Sequence, residues 1–517
     1  MNTVSVSDLI LHNADVLTLD PQRPRAQLVA IKGEKIIWVG NNDARKDFEG
    51  RKTQKIDCQG KTLITGFNDA HCHILAFASN LLSVDCSPSS VTSIADIKAR
   101  IHAQAQKLPN GSWIRATGYN EFYLAEKRHP NRWDLDEAAP NHPVKLLHRS
   151  RHACVLNSMA LSLVGISTDS PEPPGGMIDR DLNSGEPNGI LFEMNSYIDK
   201  KVPPLSEEEF EKGVRLASEQ FLSFGITSLQ DATVHNGLRE WHTFQRLKKR
   251  GFLLPRLSIM AGIDALEELQ DSGFPPRYGN DAMRLGALKV ILTEARGSLH
   301  PSHEELDRKV LQAHRAGHQV AIHAVEESTV EAAALAIQNA INQAPVRRHR
   351  HRVEHCSICP PALLERLKSI HAIVVTNPSF IYYSGERYLK TVPLEQQRWL
   401  YRIGAFLDNG LIPAAGSDSP VSPINPLIGI YGAVTRKADS GDEIVPEERI
   451  SPLEALQMYT QNAAYASFDK GVKGSLSTGK LADLALLSAD PTQVLPEDIK
   501  NIQVEMTITD GRIAWRR

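Results

Sequence analysis

Two histidines stand one residue apart at the end of an apolar run, in the segment Asp69-Ala70-His71-Cys72-His73. Side chains two residues apart in a β-strand lie on the same face, so His71 and His73 can approach one point while Cys72 faces the other side. Imidazole is the commonest metal ligand among side chains, and this spacing favours a metal ion. A lone histidine is more often a hydrogen-bonded core residue, so the prediction depends on partners elsewhere in the chain.

Four further polar residues of ligand type accompany short apolar runs. His323 closes the run QVAIHA, His355 closes HRVEHC, Asp418 closes LIPAAGSD, and Lys289 lies inside LGALKVIL. Burying polar groups without partners is costly, and coordination of a divalent ion would supply the partner for imidazoles and a carboxylate. The repeated placement of such residues at the ends of apolar runs therefore predicts a metal site.

The apolar runs alternate with helical patterns through the middle of the chain, as in an α/β protein. The runs cover residues 63–71, 225–232, 255–261, 285–292, 319–324, 351–356, 372–377 and 411–418. Between them, the segment from Ser302 to Gly317 predicts a helix with a serine N-cap and a glycine stop. The alternation predicts a (β/α)₈ TIM-type barrel, whose active site lies at the C-terminal ends of the strands.

The two ends of the chain differ from the middle and predict short strands separated by turns. We expect a small β-sandwich built from residues 1–65 and 470–517, with Asp510-Gly511 as a hairpin turn. The barrel would then occupy residues 66–469, with an insertion at about 80–220 that contributes to the pocket.

The composition is that of an ordinary globular protein. The chain has 517 residues, a formal net charge of -3 and 41% hydrophobic residues. No signal peptide or long apolar span is recognised, and the six cysteines form no disulfide pattern, so we expect a cytoplasmic protein with reduced thiols. The basic cluster at 347–352 is expected to be a solvated loop or helix end. Neither nucleic acid nor a membrane is an expected partner.

Several segments together resemble a known family. They are GFNDAHCH, the lone lysine of the fourth run, AAGSDSPVSPINPL, GSWIRATGYNE and QNAAYASFDKGVKGSLSTGKLADLALLSADP. These segments resemble the metal-dependent amidohydrolase superfamily, and within it the YtcJ-like amidohydrolases that include N-substituted formamide deformylase. The resemblance spans nearly the whole chain. It implies a distorted barrel with a β-sandwich from both ends, in agreement with the pattern of runs.

The resemblance also implies roles for individual residues. The implied metal ligands are His71, His73, Lys289, His323, His355 and Asp418. Lys289 would be carboxylated and bridge two ions, which requires a neutral amine that burial favours. The ions would be Zn²⁺, with Mn²⁺ or Fe²⁺ as alternatives. Asp418 would take a proton from water and pass it to the leaving amine.

The chain departs from the family pattern after Lys289, where it lacks an Asp-Gly pair. A site with one ion therefore stays open as an alternative. In that arrangement His355 assists the water and the ion is held by His71, His73, His323 and Asp418.

The resemblance implies hydrolysis of a C–N bond in an amide, an N-formyl group or a related small molecule. The residues expected to contact the substrate are Tyr119, Asn120, His152 and Arg296. The runner-up is hydrolytic deamination of an amino-substituted heterocycle, with Glu326, three residues after His323, as proton shuttle. A catalytically inactive scaffold is disfavoured because every ligand is retained. The pair Cys356 and Cys359 is expected to be structural, and the chain is expected to form a homodimer.

Overall fold

The computed structural model describes residues 6–173, 175–295 and 298–517. The chain divides into two compact units. The first unit runs up to His73 and resumes at Ser218–Arg517, and the second unit is Ile74–Ala217.

Eight parallel strands form the centre of the first unit, and each pairs with the next along the chain. They are β1 Phe67–Cys72, β2 Ile226–Asp231, β3 Arg256–Gly262, β4 Met283–Ile291, β5 Val320–Ala324, β6 Arg352–His355, β7 Ile373–Thr376 and β8 Ala414–Ala415. Every residue of β1, β2, β3, β6 and β7 is buried, as expected for parallel strands that are covered on both faces. The prediction of a mixed α/β fold is confirmed, and the eight-stranded parallel sheet nearly closes into a barrel.

The first strand, β1, and the last strand, β8, are joined by backbone hydrogen bonds between residues at or just after their C-terminal ends. The Asp418 N–H donates to the His71 carbonyl at 2.7 Å, and the His73 N–H donates to the Ser419 carbonyl at 2.8 Å. A Cβ atom at Gly416 would lie 2.6 Å from the His71 backbone nitrogen, so only glycine permits this approach. The histidine pair and Asp418 thus become neighbours because the sheet nearly closes.

The first apolar run, residues 63–71, is two strands rather than one. Thr62–Thr65 pairs antiparallel with Leu484–Leu487 in a terminal sheet, and β1 begins only at Phe67. Gly66 lies between them, where a Cβ atom would come within 2.2 Å of the Thr227 hydroxyl. The sequence pattern missed this break because both strands are fully buried and only Gly66 separates them.

The terminal segments build two further sheets that share one hydrophobic core. One sheet has the order Lys35–Gly40, Leu28–Lys32, Leu9–His12, Gln54–Asp57. The other has the order Arg512–Arg516, Val504–Thr509, Leu484–Leu487, Thr62–Thr65, Asp15–Leu17, Arg25–Ala26. The predicted hairpin turn is confirmed: Asp510 and Gly511 have φ values of 53° and 70°, as a type I′ turn requires.

Helices follow the barrel strands. They are Leu238–Lys249, Leu266–Asp271, His303–Arg315, Glu327–Gln343, Pro361–Ser369, Ser379–Thr391, Leu394–Gln397, Ile403–Asp408, Pro426–Thr435, Pro452–Gln457, Met458–Asn462 and Ala463–Ala466, with short turns at Asn42–Ala44, Arg45–Phe48, Ile263–Ala265, Pro446–Glu448 and Pro496–Asn501. A two-stranded ribbon, Thr293–Ala295 with Ser298–His300, follows β4. As predicted, the Ser302 side chain caps its helix by accepting from the Glu305 N–H at 3.3 Å.

The second unit has a six-stranded sheet of its own. Its order is Met177–Arg180, Pro187–Phe192, Ala153–Leu156, Val144–His148, Ile114–Tyr119, Val84–Asp85. Its helices are Ile74–Asn80, Ile94–Ala105, Glu121–Tyr123, Arg132–Ala138, Ser158–Val164 and Asn195–Asp199, and Glu207–Ser223 leads back to the first unit.

The basic cluster at 347–352 is only partly solvated, so the expectation of a solvated loop was wrong for half of it. Arg347 and Arg348 are exposed, whereas His349, His351 and Arg352 are buried. Arg352 is the first residue of β6, and the strand carries it into the interior.

Candidate metal centre

Four histidine rings and one carboxylate gather at the C-terminal ends of β1, β5 and β6 and just after β8. The ring centroid of His71 lies 5.5 Å from that of His73 and 4.8 Å from that of His355. The rings of His323 and His355 are 4.5 Å apart. Oδ1 of Asp418 lies 3.1 Å from Nε2 of His73 and 3.5 Å from Nε2 of His71. Five of the predicted ligands are therefore brought together.

The tightest part of this cluster has the dimensions of a metal site. His71, His355 and Asp418 each offer one ligand atom, and these atoms all lie within 4.8 Å of one another. All three residues are buried. Two imidazoles and a carboxylate form a donor set that suits a divalent transition metal ion.

In two of these rings, Nδ1 already has a hydrogen-bond partner outside the cluster. Nδ1 of His73 lies 3.0 Å from Oγ1 of Thr233, and Nδ1 of His355 lies 2.7 Å from Oδ1 of Asn377. The amide of Asn377 is oriented in turn, because its Nδ2 donates to the Gly416 carbonyl at 2.9 Å. Both rings consequently leave Nε2 for the centre of the cluster, as metal-binding histidines do.

The ring of His71 also has a hydrogen-bond partner on Nδ1, and in this case the partner is a carboxylate. Its Nδ1 is hydrogen-bonded to a carboxylate oxygen of Glu354, and its Nε2 is on the side of Asp418. Glu354 also forms two hydrogen bonds with the guanidinium of Arg352, at 2.7 and 2.9 Å.

The backbone is left-handed at two of the candidate ligands. The φ values are 67° at His355, 48° at Cys356 and 57° at Asp418, in a region that residues other than glycine rarely adopt. Strict alternation along β6 would put Glu354 and His355 on opposite faces. The left-handed turn at His355 lets both residues reach the ring of His71. Backbone strain of this kind concentrates at functional sites.

Asp418 is an ionised carboxylate in this environment. Burial acts to raise the pKa of its carboxyl group, but the hydrogen bond from His73 and the nearby histidines hold that pKa well below its usual range. The neighbouring Asp69 shows the opposite balance. Burial raises the pKa of Asp69 to about 6, although its carboxylate accepts hydrogen bonds from the hydroxyl and the N–H of Ser417.

Lys289 lies inside β4 and is only 1% exposed. Among the residues that the structure describes, its Nζ has no hydrogen-bond partner. Burial lowers the pKa of Lys289 to about 8, although Glu354 and Asp418 act to raise it. A substantial neutral fraction near neutral pH is what reaction of the amine with CO₂ requires.

The pattern of the amidohydrolase family matches residues 54–514. The chain belongs to the amidohydrolase family. As a member of this family it is a hydrolase that acts on carbon–nitrogen bonds.

Two relatives match this amidohydrolase over almost their entire length. The N-substituted formamide deformylase of Arthrobacter pascens is 30% identical over 546 residues, covering 99% of this chain and 98% of that protein. The protein YtcJ of Bacillus subtilis, which bears the name putative amidohydrolase, is 26% identical over 539 residues, covering 98% of this chain and 99% of that protein.

A solved structure supports the fold. An uncharacterized metal-dependent hydrolase from Pyrococcus horikoshii superposes with a TM-score of 0.77 at 22% identity, covering 95% of this chain and 99% of that chain. No helix among the described residues of the amidohydrolase is long and apolar enough to cross a membrane.

The cysteines near the site are not part of the cluster. Cys72 is buried, with its Sγ 3.6 Å from the Gln230 carbonyl. Cys356 and Cys359 are buried and form no disulfide, and a hydrogen bond with Cys359, together with burial, raises the pKa of the Cys356 thiol well above its usual value. A high thiol pKa disfavours the thiolate that a metal needs, in keeping with a structural role.

The predicted substrate residues belong to other parts of the chain. Tyr119 is fully buried in the second unit, and its hydroxyl lies 2.9 Å from Nδ1 of His129. Asn120 caps a short helix by accepting from the Phe122 N–H at 3.0 Å. His152 is exposed, with its Nδ1 2.7 Å from a carboxylate oxygen of Glu193. Their contact with substrate stays a prediction.

Two other predicted residues have different outcomes. Arg296 lies outside the described residues. Glu326 stands at the N-cap position of the helix Glu327–Gln343, and its carboxylate accepts from the Thr329 hydroxyl at 3.3 Å. The Glu326 side chain makes no capping hydrogen bond to the helix backbone, and its part in deamination stays a prediction.

A cavity of about 160 Å³ lies at the opposite ends of the barrel strands, lined in part by His314, His349 and His351. His351 Nδ1 accepts from the Val320 N–H at 3.1 Å, and its Nε2 is 2.8 Å from His314 Nδ1. His314 Nε2 then donates to the Ala344 carbonyl at 2.6 Å. Every ring nitrogen of His314 and His351 thus has a hydrogen-bond partner. These two histidines therefore stabilise the lower end of the barrel, where the N-termini of the strands lie, and do not form a second metal site.

Sequence reasoning missed the residues that orient the ligands: Glu354, Thr233, Asn377 and Asp69. A signal existed for Glu354, because a charged pair two residues apart in an apolar strand, Arg352 and Glu354, must find partners in the interior. Thr233 lies two residues after β2 and Asn377 directly follows β7, at the barrel end where ligands were expected.

Proposed function

We propose that this amidohydrolase uses one or two divalent ions, Zn²⁺ in the first place, to hydrolyse an amide or N-formyl C–N bond of a small organic molecule. The observation that carries the proposal is the buried group of His71, His355 and Asp418, whose ligand atoms lie within 4.8 Å. Its two imidazoles present Nε2 because their Nδ1 atoms are engaged elsewhere.

The full ligand set in this proposal is His71, His73, Lys289, His323, His355 and Asp418. Imidazole and carboxylate suit Zn²⁺, and Mn²⁺ or Fe²⁺ would be accepted by the same atoms. The amine of Lys289 has no hydrogen-bond partner among the described residues, and carboxylation would turn it into an anion that could bridge two ions. With an unmodified Lys289, the remaining residues would hold one ion.

The chain's own residues then move the proton. Asp418 is ionised at neutral pH because its pKa lies well below the usual range, so it can accept a proton from water. It can later donate that proton to the leaving amine. A divalent ion would polarise the substrate carbonyl and lower the pKa of the attacking water. In the one-ion alternative, His355 assists the water.

The substrate class rests on the relative from Arthrobacter pascens, whose name describes deformylation of N-substituted formamides and which is 30% identical along 99% of this chain. We propose N-formyl or N-acyl compounds as the first substrates to test. Fold and ligands are shared by enzymes of many substrates, so the screen should include carbamates and lactams.

We also propose the domain organisation that supports this chemistry. Residues 1–65 and 470–517 form a β-sandwich, residues 66–469 form the barrel, and the insertion at about 80–220 contributes to the pocket. The shared core of the two terminal sheets supports the first of these assignments.

The test combines a hydrolysis screen of the zinc-loaded protein with the variant Asp418→Asn. We expect Asp418→Asn to lower turnover by at least about a thousandfold, since removal of a proton-transfer group costs roughly 10²–10⁴ and a ligand charge is lost as well. Asp490→Asn is the matched control, because Asp490 is a buried carboxylate that pairs with Arg25 in the terminal region. Substantial activity of Asp418→Asn would refute the proton-transfer role.

A further inference from the structure

Strand β6 carries two opposite charges into the barrel interior. Arg352 is 1% exposed and Glu354 is 0% exposed. Residues two apart in a strand share a face, which lets the guanidinium and the carboxylate meet. Burying an ion pair is expensive and often no better for stability than apolar residues of the same size. The pair therefore calls for an explanation other than stability.

The guanidinium of Arg352 is held by three strands at once. It binds both carboxylate oxygens of Glu354, donates to Oε1 of Gln230 in β2 at 2.6 Å and donates to the Ala70 carbonyl in β1 at 2.8 Å. Gln230 is fixed as well, since its Nε2 donates to Asn68 Oδ1 at 3.2 Å. Arg352 consequently cannot turn without breaking contacts to two neighbouring strands.

The fixed carboxylate acts on one ring nitrogen. A Glu354 that is ion-paired with Arg352 can only accept hydrogen bonds, so the proton between Glu354 and His71 belongs to Nδ1 of His71. Nε2 of His71 is then left with its lone pair, on the side of Asp418. An anionic partner on Nδ1 also makes the opposite nitrogen more basic, and thus a stronger ligand.

The other two oriented rings have neutral partners. His73 faces the hydroxyl of Thr233, which can donate or accept, and His355 faces the amide oxygen of Asn377. Among the three rings whose Nδ1 partners are described, only His71 has a carboxylate there.

We propose that Arg352 and Glu354 are a positioning pair whose task is to fix the tautomer and raise the basicity of His71. Arg352 orients the carboxylate, and the carboxylate prepares Nε2 of His71 for the metal ion. The inference rests on the proposed metal-dependent function, but its first readout, the tautomer of His71, is measured in the metal-free protein.

The first experiment is NMR of the metal-free protein with ¹⁵N-labelled histidine. We expect the His71 ring of the wild type to carry its proton on Nδ1. In Glu354→Gln the proton should redistribute between the two nitrogens. A His71 ring that keeps the Nδ1 proton in the variant would overturn the proposal. This measurement is independent of whether the protein hydrolyses any of the compounds screened.

The second experiment is a zinc titration against a competing chelator. Glu354→Gln should weaken zinc binding roughly 10- to 100-fold, the usual effect of removing such a hydrogen-bond partner. Thr233→Val is the matched control, since it removes the neutral partner of His73 and should cost less. Equal losses in the two variants, or none in Glu354→Gln, would contradict the special role of the carboxylate.

Removing one member of a buried ion pair can unfold a protein, because the other charge is left without a partner. The double variant Arg352→Gln/Glu354→Gln removes both charges and keeps two side chains that can hydrogen-bond. We expect it to fold, as judged by circular dichroism, and to bind zinc as weakly as Glu354→Gln. Wild-type zinc affinity in the folded double variant would show that the pair is merely structural.

Discussion

Lys289 shows how far burial alone can change the chemistry of one side chain. An exposed lysine is almost fully protonated at neutral pH, whereas the buried Lys289 has its pKa lowered to about 8. Its amine lies close enough to Glu354 and Asp418 to be influenced by their charges. Burial disfavours the charged ammonium form of Lys289 and so increases the fraction of the neutral amine, which is the form that reacts with CO₂.

The first prediction at the residue scale follows from that pKa. Only the neutral amine reacts with CO₂, and the neutral fraction of Lys289 rises as pH increases through about 8. At equal concentrations of dissolved CO₂, reconstitution of the metal-free protein with zinc should therefore be faster at pH 9 than at pH 7. Lys289→Gln should bind at most one ion and lose any dependence on bicarbonate. Metal stoichiometry by mass spectrometry measures both effects, and two ions in Lys289→Gln would contradict the bridging role.

Single residues were also where sequence reasoning reached furthest. The sequence was enough to predict that four imidazole rings and one carboxylate lie close together. The prediction rested on the spacing of His71 and His73 and on the positions of His323, His355 and Asp418 at the ends of apolar runs. Glu354 was missed because alternation assigns it to the face opposite His355. The left-handed backbone at His355 overrides that rule. A histidine in the sequence does not by itself predict a positive φ.

At the scale of elements, the junction of β8 with β1 depends on a residue without a side chain. A Cβ atom at residue 416 would lie 2.6 Å from both the backbone nitrogen and the Cβ of His71, so one of the two strands would have to move. Such a movement would also displace Asp418, which follows two residues later and is bonded to the His71 carbonyl.

Gly416→Ala should accordingly reduce both stability and metal binding. Overpacking of this kind costs about 1–3 kcal/mol in the free energy of unfolding, and zinc affinity should fall with it. Urea denaturation and zinc titration are the measurements. Gly471→Ala is the control, because a Cβ atom there would meet nothing within 4 Å and its φ is not positive. A Gly416→Ala protein as stable as this control would show that the strands tolerate a wider separation.

The lower ends of β5 and β6 depend on neutral histidines. His349 accepts from the His351 N–H at 2.9 Å and donates through Nε2 to the Ile370 carbonyl at 2.9 Å. Burial lowers the pKa of His349 to about 4 and that of His351 well below its usual value. The uncharged rings are part of the hydrogen-bonding pattern, because a second proton on either would face an N–H donor.

The resulting pH dependence has a definite sign. The folded-state pKa of His349 is below the unfolded value near 6.5, so its contribution to stability is complete above pH 6.5 and is lost as pH falls toward 4. Between pH 7 and pH 5 this loss should be about 2 kcal/mol in the free energy of unfolding. His349→Gln can make the same two hydrogen bonds without titrating, so its stability should change less over this range. Urea denaturation at both pH values measures the free energy of unfolding of the wild type and of His349→Gln. An identical change between pH 7 and pH 5 in the two proteins would exclude His349 as the source of the pH dependence.

Elements were predicted well where one physical cause sufficed. Each of the eight runs overlaps one strand of the barrel, because parallel strands that are covered on both faces are rich in apolar residues. The break at Gly66 was missed because a contact with Thr227, not a change in polarity, separates the two strands. Arg352 was assigned both to the solvated basic cluster and to the run at 351–356, and the structure places it in β6, where it is buried.

At the scale of the whole molecule, all proposed ligands belong to the first unit, which is assembled from the two ends of the chain. A ligand that binds only the folded state stabilises that state by mass action. The ion should therefore stabilise the unit that holds the ligands, with no direct contribution to Ile74–Ala217.

Metal loading should be visible as stability. Zinc at about 100 times its dissociation constant should add about 2.7 kcal/mol to the free energy of unfolding, and chelation should remove it. The variant Asp418→Asn should gain less from zinc, because one candidate ligand has lost its charge. Differential scanning calorimetry with and without zinc measures the shift. A melting curve that does not respond to zinc would argue against a folded-state metal site.

The bonds between the end of β8 and β1 also have a consequence for the order of events during synthesis. Asp418 follows His73 by 345 residues, which corresponds to roughly 20–70 seconds of translation. During that interval the histidine pair has emerged from the ribosome, while the carboxylate that completes its surroundings has not been made. An ion that meets the nascent chain finds an incomplete chelate, from which it can leave again. We therefore expect the amidohydrolase to acquire its ion only after release, once the last strand has returned to the first.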